Sequence, residues 1–108
     1  MNETEFEALA RNELSLIEQA LEASGVDADV EQTGDGVLEV EFADGGKIVI
    51  NRHGAAREIW VAARSGGHHF RRDGAQWLDT RDGSELYAAL SRLVTQQAGV
   101  AVTLTRAA

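Results

Sequence analysis

The start of the chain carries apolar side chains at spacings of three and four, the pattern of one helix face. Asn2 or Thr4 can cap the first turn, and Ser24-Gly25 gives a stop signal. Glu13 falls inside the apolar stripe, so we expect it at the margin of the core beside a basic partner, not as a buried catalytic acid. The stripe that predicts this amphipathic helix is Phe6, Leu9, Ala10, Ile17, Ala20 and Leu21.

From Asp29 onwards the apolar and polar residues alternate with a period of two, which is typical of strands with one buried face. Turn signals separate the alternating segments, and the strongest are Asp44-Gly45-Gly46 and Asp73-Gly74. Because tight turns join most neighbours, the sheet should be antiparallel, since parallel neighbours would need crossovers of about a dozen residues. Strands are predicted at residues 30–32, 37–42, 47–50, 58–63, 68–72 and 76–79.

A second helix is predicted to start at Asp82-Gly83-Ser84, and its apolar face consists of Leu86, Leu90, Leu93 and Val94. Alternating Val100, Val102 and Leu104 then predict an extended tail that packs on the core. Two terminal helices with apolar stripes must cover one face of the sheet. We therefore predict a single α+β domain over residues 1–108. It is a two-layer sandwich of two helices on an antiparallel sheet of about six strands, with the other sheet face in water.

The amino-acid composition excludes several classes of site and of protein. Apolar residues make up 44% and charged residues 26%, which is ordinary for a globular protein. The sequence has no cysteine, which excludes disulfides, thiolate metal ligands and cysteine nucleophiles. No stretch of consecutive apolar residues approaches the length of about 18 that is needed to span a bilayer. The acidic N-terminus opens a helix and does not resemble a signal or transit peptide, so we expect a mature cytoplasmic protein without membrane attachment.

Charge is divided unevenly along the chain. Residues 1–46 contain thirteen acidic side chains and one basic one, Arg11, whereas residues 47–108 contain five acidic and nine basic ones. A folded block of carboxylates attracts metal cations or a basic protein and repels nucleic acid. A merely solvated helix face is the alternative. The block in and just beyond the first helix, called the acidic ridge below, comprises Glu3, Glu7, Glu18, Glu22, Asp27, Asp29 and Glu31.

Carboxylates are hard oxygen donors, suited to iron, manganese, calcium or magnesium more than to copper or zinc. Glu3, Glu7, Glu18 and Glu22 fall within a sector of roughly 100° around the helix. Such a convex face cannot enclose an ion, so we expect weak, multiple and salt-sensitive binding. The sequence has no Glu-x-x-His pair on facing helices, which argues against a buried di-iron centre.

The histidines and one tryptophan are the remaining candidates for chemistry. His68 and His69 should point to opposite faces of their strand and so cannot chelate one ion together, while His53 stands alone. No Ser-His-Asp order, P-loop or dinucleotide fingerprint is present, so nucleophilic catalysis and nucleotide binding lack support. Either Ile59 or Trp60 must lie on the uncovered sheet face. An aromatic residue there is a candidate protein-binding anchor, and a core tryptophan is the alternative.

The chain resembles the frataxins, specifically those of the bacterial type, from Asn2-Glu3-Thr4-Glu5-Phe6 to Thr95-Gln96-Gln97-Ala98-Gly99. The most specific segments are Gly36-Val37-Leu38, Gly46-Lys47-Ile48-Val49-Ile50-Asn51-Arg52, Ile59-Trp60-Val61-Ala62 and Gly66-Gly67-His68-His69-Phe70.

The resemblance implies the fold predicted above and a role in iron–sulfur cluster assembly. It implies that ferrous and ferric iron bind weakly on the acidic ridge, where other divalent cations could substitute. The same ridge, through Glu18 and Glu22, would dock on a basic surface of the cysteine desulfurase and modulate its output to the scaffold protein. The exposed sheet face that meets partners would correspond to Asn51, Arg52, Glu58 and Trp60.

The leading hypothesis is a non-catalytic, iron-binding regulator of iron–sulfur assembly, mostly monomeric, which iron could drive into oligomers. A second hypothesis is a ferroxidase that stores its product in oligomers, although the sequence shows no two-metal carboxylate–histidine constellation. A third is a metal-independent acidic adaptor.

Overall fold

Two helices and six strands make up the computed structural model, which describes residues 1–107. Helix α1 (Glu3–Ser24) precedes the strands and helix α2 (Leu86–Ala98) follows them. One antiparallel sheet contains the strands in sequence order, which confirms the predicted α+β two-layer fold. The strands are β1 (Ala28–Gly34), β2 (Val37–Phe42), β3 (Lys47–His53), β4 (Glu58–Ala63), β5 (Gly66–Asp73) and β6 (Gln76–Asp79).

The two helices cover one face of the sheet, and strand alternation decides which side chains meet them. Leu38 pairs with Ile50, and Ile50 pairs with Val61, so one row of apolar residues crosses three strands beneath the helices. Phe6 of α1 packs edge-on against Trp77 of β6, with ring centroids 6.1 Å apart. All five of these residues are buried in one core shared by helices and sheet. Within residues 1–107, no helix covers the opposite surface of the sheet, which is called the open face below.

The predicted elements are recovered, but several boundaries move. Strands β1, β3 and β5 are longer than predicted because the ladder continues through polar residues that the apolar alternation does not mark. Helix α2 begins at Leu86, so the predicted start at Asp82-Gly83-Ser84 is wrong. Those residues form a turn, and the Glu85 carboxylate accepts hydrogen bonds from the Tyr87 and Ala88 amides as the true N-cap.

Glu13 has the predicted basic partner, but its predicted place at the core margin is wrong because it is 1% exposed. Arg106 donates to both carboxylate oxygens, at 2.9 and 3.2 Å. Tyr87 Oη donates at 2.5 Å and Trp77 Nε1 at 3.3 Å. Burial alone would raise the pKa of Glu13, but these hydrogen bonds and the Arg106 charge outweigh it and hold the pKa below its usual value. A saturated carboxylate therefore lies inside the core.

The tail after α2 is held to that helix by side chains. Thr95 Oγ1 donates to the Val102 carbonyl and accepts from the Val102 amide, and Ser91 Oγ accepts from the Leu104 amide. Leu104 is buried, as the predicted packing of the tail requires. Val100 is 63% exposed, so its predicted packing is wrong, because the chain first turns at the left-handed Gly99.

Candidate functional site

The acidic ridge lies along the edge of the molecule where α1 meets the edge strand β1. All seven of its carboxylates are exposed or partly exposed. None of them forms an ion pair with any residue from 1 to 107. Like charges without counterions create a strong local negative potential. The helix supplies Glu3, Glu7, Glu18 and Glu22, the following loop supplies Asp27, and β1 supplies Asp29 and Glu31.

The ridge turns a corner at β1. Val30 of β1 faces the core, so Asp29 and Glu31 point to the open face, whereas the helix acids belong to the other layer. Within residues 1–107, no three carboxylate or imidazole groups converge in a way that could hold a metal ion. The arrangement suits cations bound loosely over an extended surface.

Two acids that the sequence interpretation missed extend this surface. Glu41 pairs directly with Asp29, and Glu39 pairs with Glu31, which places four carboxylates together on the open face. Lys47 partly offsets them through an ion pair of 2.8 Å with Glu39. That hydrogen bond, with the charges of Glu39, Glu41 and Glu31, raises the pKa of Lys47. The alternation of β2 carried the signal, since its apolar residues fill the positions between the two glutamates.

Trp60 lies partly exposed on the open face, and Ile59 lies in the core. The sequence left open which of the two faces the helices, and the structure shows that it is Ile59. Two imidazoles sandwich the indole: His53 at 3.7 Å between ring centroids and His69 at 4.3 Å, both nearly parallel to it. Trp60 Nε1 donates to Glu58 Oε1 at 2.8 Å. The stack holds the indole at a fixed angle on the surface.

Glu58 holds the central indole of this aromatic stack in place by accepting the Trp60 hydrogen bond. Its carboxylate also accepts a 2.7 Å hydrogen bond from Arg71 Nη2, and its side chain is 7% exposed. Burial alone would raise the pKa of Glu58, but the hydrogen bonds from Trp60 and Arg71, with the charges of Arg71 and His69, lower it. The stack of His53, Trp60 and His69 therefore rests on a fixed, ionised carboxylate. The sequence interpretation did not join these residues.

Asn51 and Trp60 lie partly exposed on the open face, but the predicted exposure of Glu58, which is 6% exposed, and the predicted placement of Arg52 on this face are wrong. Asn51 pairs directly with Trp60, whereas Arg52 pairs with the core residue Ile59. Successive side chains of a strand point to opposite faces, so Asn51 and Arg52 cannot share one. Arg52 instead lies on the helix-covered side, under the middle of α1.

The histidine pair on β5 separates as predicted. His68 faces the helix layer, with Nδ1 at 3.4 Å from Asp79 Oδ2, and His69 stacks on Trp60 on the open face. The two imidazoles therefore belong to different surfaces.

A family model described as the frataxin-like domain matches residues 1–100 of the chain. The chain belongs to the frataxin-like family. Among the relatives of this frataxin is the iron-sulfur cluster assembly protein CyaY of Dechloromonas aromatica, which is 58% identical over 104 residues. That alignment covers 96% of this chain and 99% of the relative. The resemblance to bacterial frataxins noted in the sequence is thereby confirmed.

Solved frataxin structures agree with this assignment. The frataxin of Psychromonas ingrahamii, described as a model for stability modulation within the CyaY family, superposes with a TM-score of 0.89 at 34% identity. The superposition covers 98% of this frataxin and 100% of the other chain. A trimeric frataxin from the yeast Saccharomyces cerevisiae, complexed with ferrous iron, gives 0.64 at 29% identity and covers 87% and 84% of the two chains.

Of the helices within residues 1–107, neither has the length and hydropathy needed to cross a membrane.

Proposed function

We propose that this frataxin acts in iron–sulfur cluster assembly as a non-catalytic, iron-binding regulator. Its acidic ridge docks on a basic surface of the cysteine desulfurase and modulates the delivery of sulfur and iron to the scaffold protein. Iron is cargo on the ridge and is held weakly. The observation that carries the proposal is the set of seven ridge carboxylates that find no counterion within residues 1–107.

Electrostatic cost supports this reading of the ridge. Glu18 and Glu22 are one helical turn apart, and like-charge pairs at this spacing destabilise a helix by a few tenths of a kcal/mol. Across the strands, Asp29 faces Glu41 and Glu31 faces Glu39, which is also unfavourable. A cation or a basic partner protein relieves both repulsions, so binding at the ridge gains free energy that an isolated carboxylate would not offer.

Donor chemistry supports iron as the cargo. Exposed carboxylates are hard oxygen ligands, and binding to an open surface depends on charge more than on geometry. We therefore expect several weak sites that manganese or calcium can also occupy, with affinities that fall as salt is added. The relative named for iron-sulfur cluster assembly and the yeast frataxin complexed with ferrous iron support this assignment by family.

The open face supplies a second contact region, for the scaffold. Trp60 is an aromatic residue whose position is fixed by stacking and by its hydrogen bond to Glu58, and pre-organised aromatic anchors are frequent interface hot spots. Asn51 lies beside it in the same cross-strand row. Ridge and open face meet at β1, so a desulfurase on the ridge and a scaffold on the open face could be adjacent.

The test replaces Glu18 and Glu22 with lysine and measures desulfurase binding by titration. The matched control replaces Glu5 and Asp73 with lysine, which changes the net charge equally at exposed acids outside the ridge. We expect the ridge variant to lose binding and the control to keep it, with unchanged circular dichroism in both. Binding retained by the ridge variant would contradict the proposal.

A metal-independent adaptor is the second candidate, and the corner in the ridge favours it. Because α1 and β1 present their acids to different sides, the ridge suits a broad field better than a ligand set. If the protein is a metal-independent adaptor, desulfurase activity in its presence should be the same with and without an iron chelator. If it is an iron-linked regulator, the chelator should change that activity.

A further inference from the structure

A cleft of about 220 Å³ opens between the middle of α1 and the turn that joins β1 to β2. Two arginines line it, Arg11 from α1 and Arg52 from β3, together with Ser15, Gln32 and the carboxylate of Asp35. Arg11 is the only basic residue before Lys47. One cleft is therefore lined by the single basic residue of the acidic half of the chain and by an arginine of the basic half.

The Arg52 guanidinium is fixed in the floor of this cleft. It lies against Gly36, where an added Cβ would come within 3.0 Å of Arg52 Cζ, and the Arg52 amide donates to the Gly36 carbonyl at 2.8 Å. Arg52 Nη2 donates to Asp35 at 3.1 Å. Arg52 Nη1 is buried and has no hydrogen-bond partner within residues 1–107. Because Nη1 is closed off from solvent, an anion in the cleft would contact it only after the Arg52 side chain shifts. A buried charged donor without a partner is costly, so that contact would favour binding.

Arg11 and Ser15 face the cleft from above. They are one helical turn apart, so their side chains lie on the same side of α1. Arg11 is exposed and forms no ion pair within the described residues. Ser15 Oγ accepts a long hydrogen bond of 3.4 Å from Gln19, which leaves its own O–H able to donate. The cleft thus combines the free Arg11 guanidinium and a hydroxyl donor with Arg52, whose charge is partly offset by Asp35.

We propose that this cleft binds a small oxyanion of the phosphate or carboxylate type. Guanidinium groups match the paired oxygens of such anions with charge-assisted hydrogen bonds. The net charge of −8 repels anions at long range. Saturable binding must therefore come from direct contacts in the cleft and not from the general field of the protein.

The test is a titration of the ¹⁵N-labelled protein with inorganic phosphate, followed by NMR, with chloride at equal ionic strength as the blank. We expect saturable shifts at Arg11, Ser15 and Gly36 that chloride does not reproduce. Arg11→Gln should weaken phosphate binding by about tenfold, as expected for the loss of a charge-assisted hydrogen bond. Arg92→Gln is the matched control, an exposed helical arginine with the same charge change, and should leave affinity within about twofold.

Two further measurements keep the proposal testable. Ser15→Ala leaves both arginines in place and should weaken binding by a smaller factor than Arg11→Gln. Repeating the titration with succinate separates the two anion types: saturable binding of either anion supports the proposal and identifies its class. Shifts that fail to saturate with both anions, or equal losses in Arg11→Gln and Arg92→Gln, would overturn it.

Discussion

Removing the Arg106 side chain should destabilise the fold far more than its position near the chain end suggests. Arg106 makes two charge-assisted hydrogen bonds to Glu13, and such bonds contribute about 1.5–3 kcal/mol each. Arg106→Ala leaves a buried carboxylate whose donors within residues 1–107 are Tyr87 and Trp77. Because Arg106 is itself 42% exposed, water recovers part of the loss, and we expect a net loss of about 2–3 kcal/mol.

Urea denaturation monitored by tryptophan fluorescence measures this loss in the free energy of unfolding, and thermal unfolding measures the corresponding shift in Tm. At about 4 °C per kcal/mol for a domain of this size, Tm should fall by about 8–12 °C. Arg92→Ala, which removes an exposed arginine that forms no ion pair within residues 1–107, should change stability by less than about 0.5 kcal/mol. A loss in Arg106→Ala no larger than in Arg92→Ala would refute the reasoning.

The pH dependence of the two proteins gives an independent check. The pKa of Glu13 in the folded protein lies below its usual value of about 4.5. Its contribution to stability is therefore fully present above that usual value and is lost as the pH falls through the lower folded pKa. Protonated Glu13 no longer pairs with Arg106, so the stability gap between wild type and Arg106→Ala should narrow on acidification. A gap that stays constant down to unfolding would contradict an ionic origin.

Two further substitutions test the open face and the β1–β2 turn. Trp60→Phe keeps an aromatic ring but removes the indole donor to the buried Glu58, so chemical denaturation should show a loss of about 1 kcal/mol, and an unchanged midpoint would argue against that hydrogen bond. Gly36→Ala should cost more than Gly45→Ala, by about 1 kcal/mol or more, because both have positive φ but only the Cβ at Gly36 would meet Arg52. Equal losses would show that the Arg52 contact moves away freely.

Local patterns of apolar residues and turn residues were sufficient to predict the fold. The turn at Asp44-Gly45-Gly46 fixed a hairpin, and β4 and β6 have the predicted bounds because apolar residues and turns delimit both ends. The start of α2 was missed because Asp82 and Ser84 favour a turn as readily as a cap, and only the structure shows the Glu85 carboxylate bonded to the helix amides.

The site was harder to predict because its contacts are distant in sequence. The ridge acids follow from charge and helix spacing, but Glu13 depends on Arg106, 93 residues away, which no local pattern reveals. The error at Arg52 was avoidable, since alternation in β3 places it opposite Asn51. The stacking of His53 on Trp60 requires the register of β3 against β4, which the turn between them does not determine.

The most direct test of the proposed function is an anaerobic titration of ferrous iron into the ¹⁵N-labelled protein, with each amide followed by NMR. We predict broadening and shifts along the acidic ridge that are strongest at Glu18, Glu22 and residues 27–31, weaker at Glu39 and Glu41, and absent from the α2 amides. Added salt should reverse the effect, as expected for weak binding to exposed carboxylates. Broadening centred away from the ridge, or no change at the ridge at saturating iron, would contradict an iron-binding regulator.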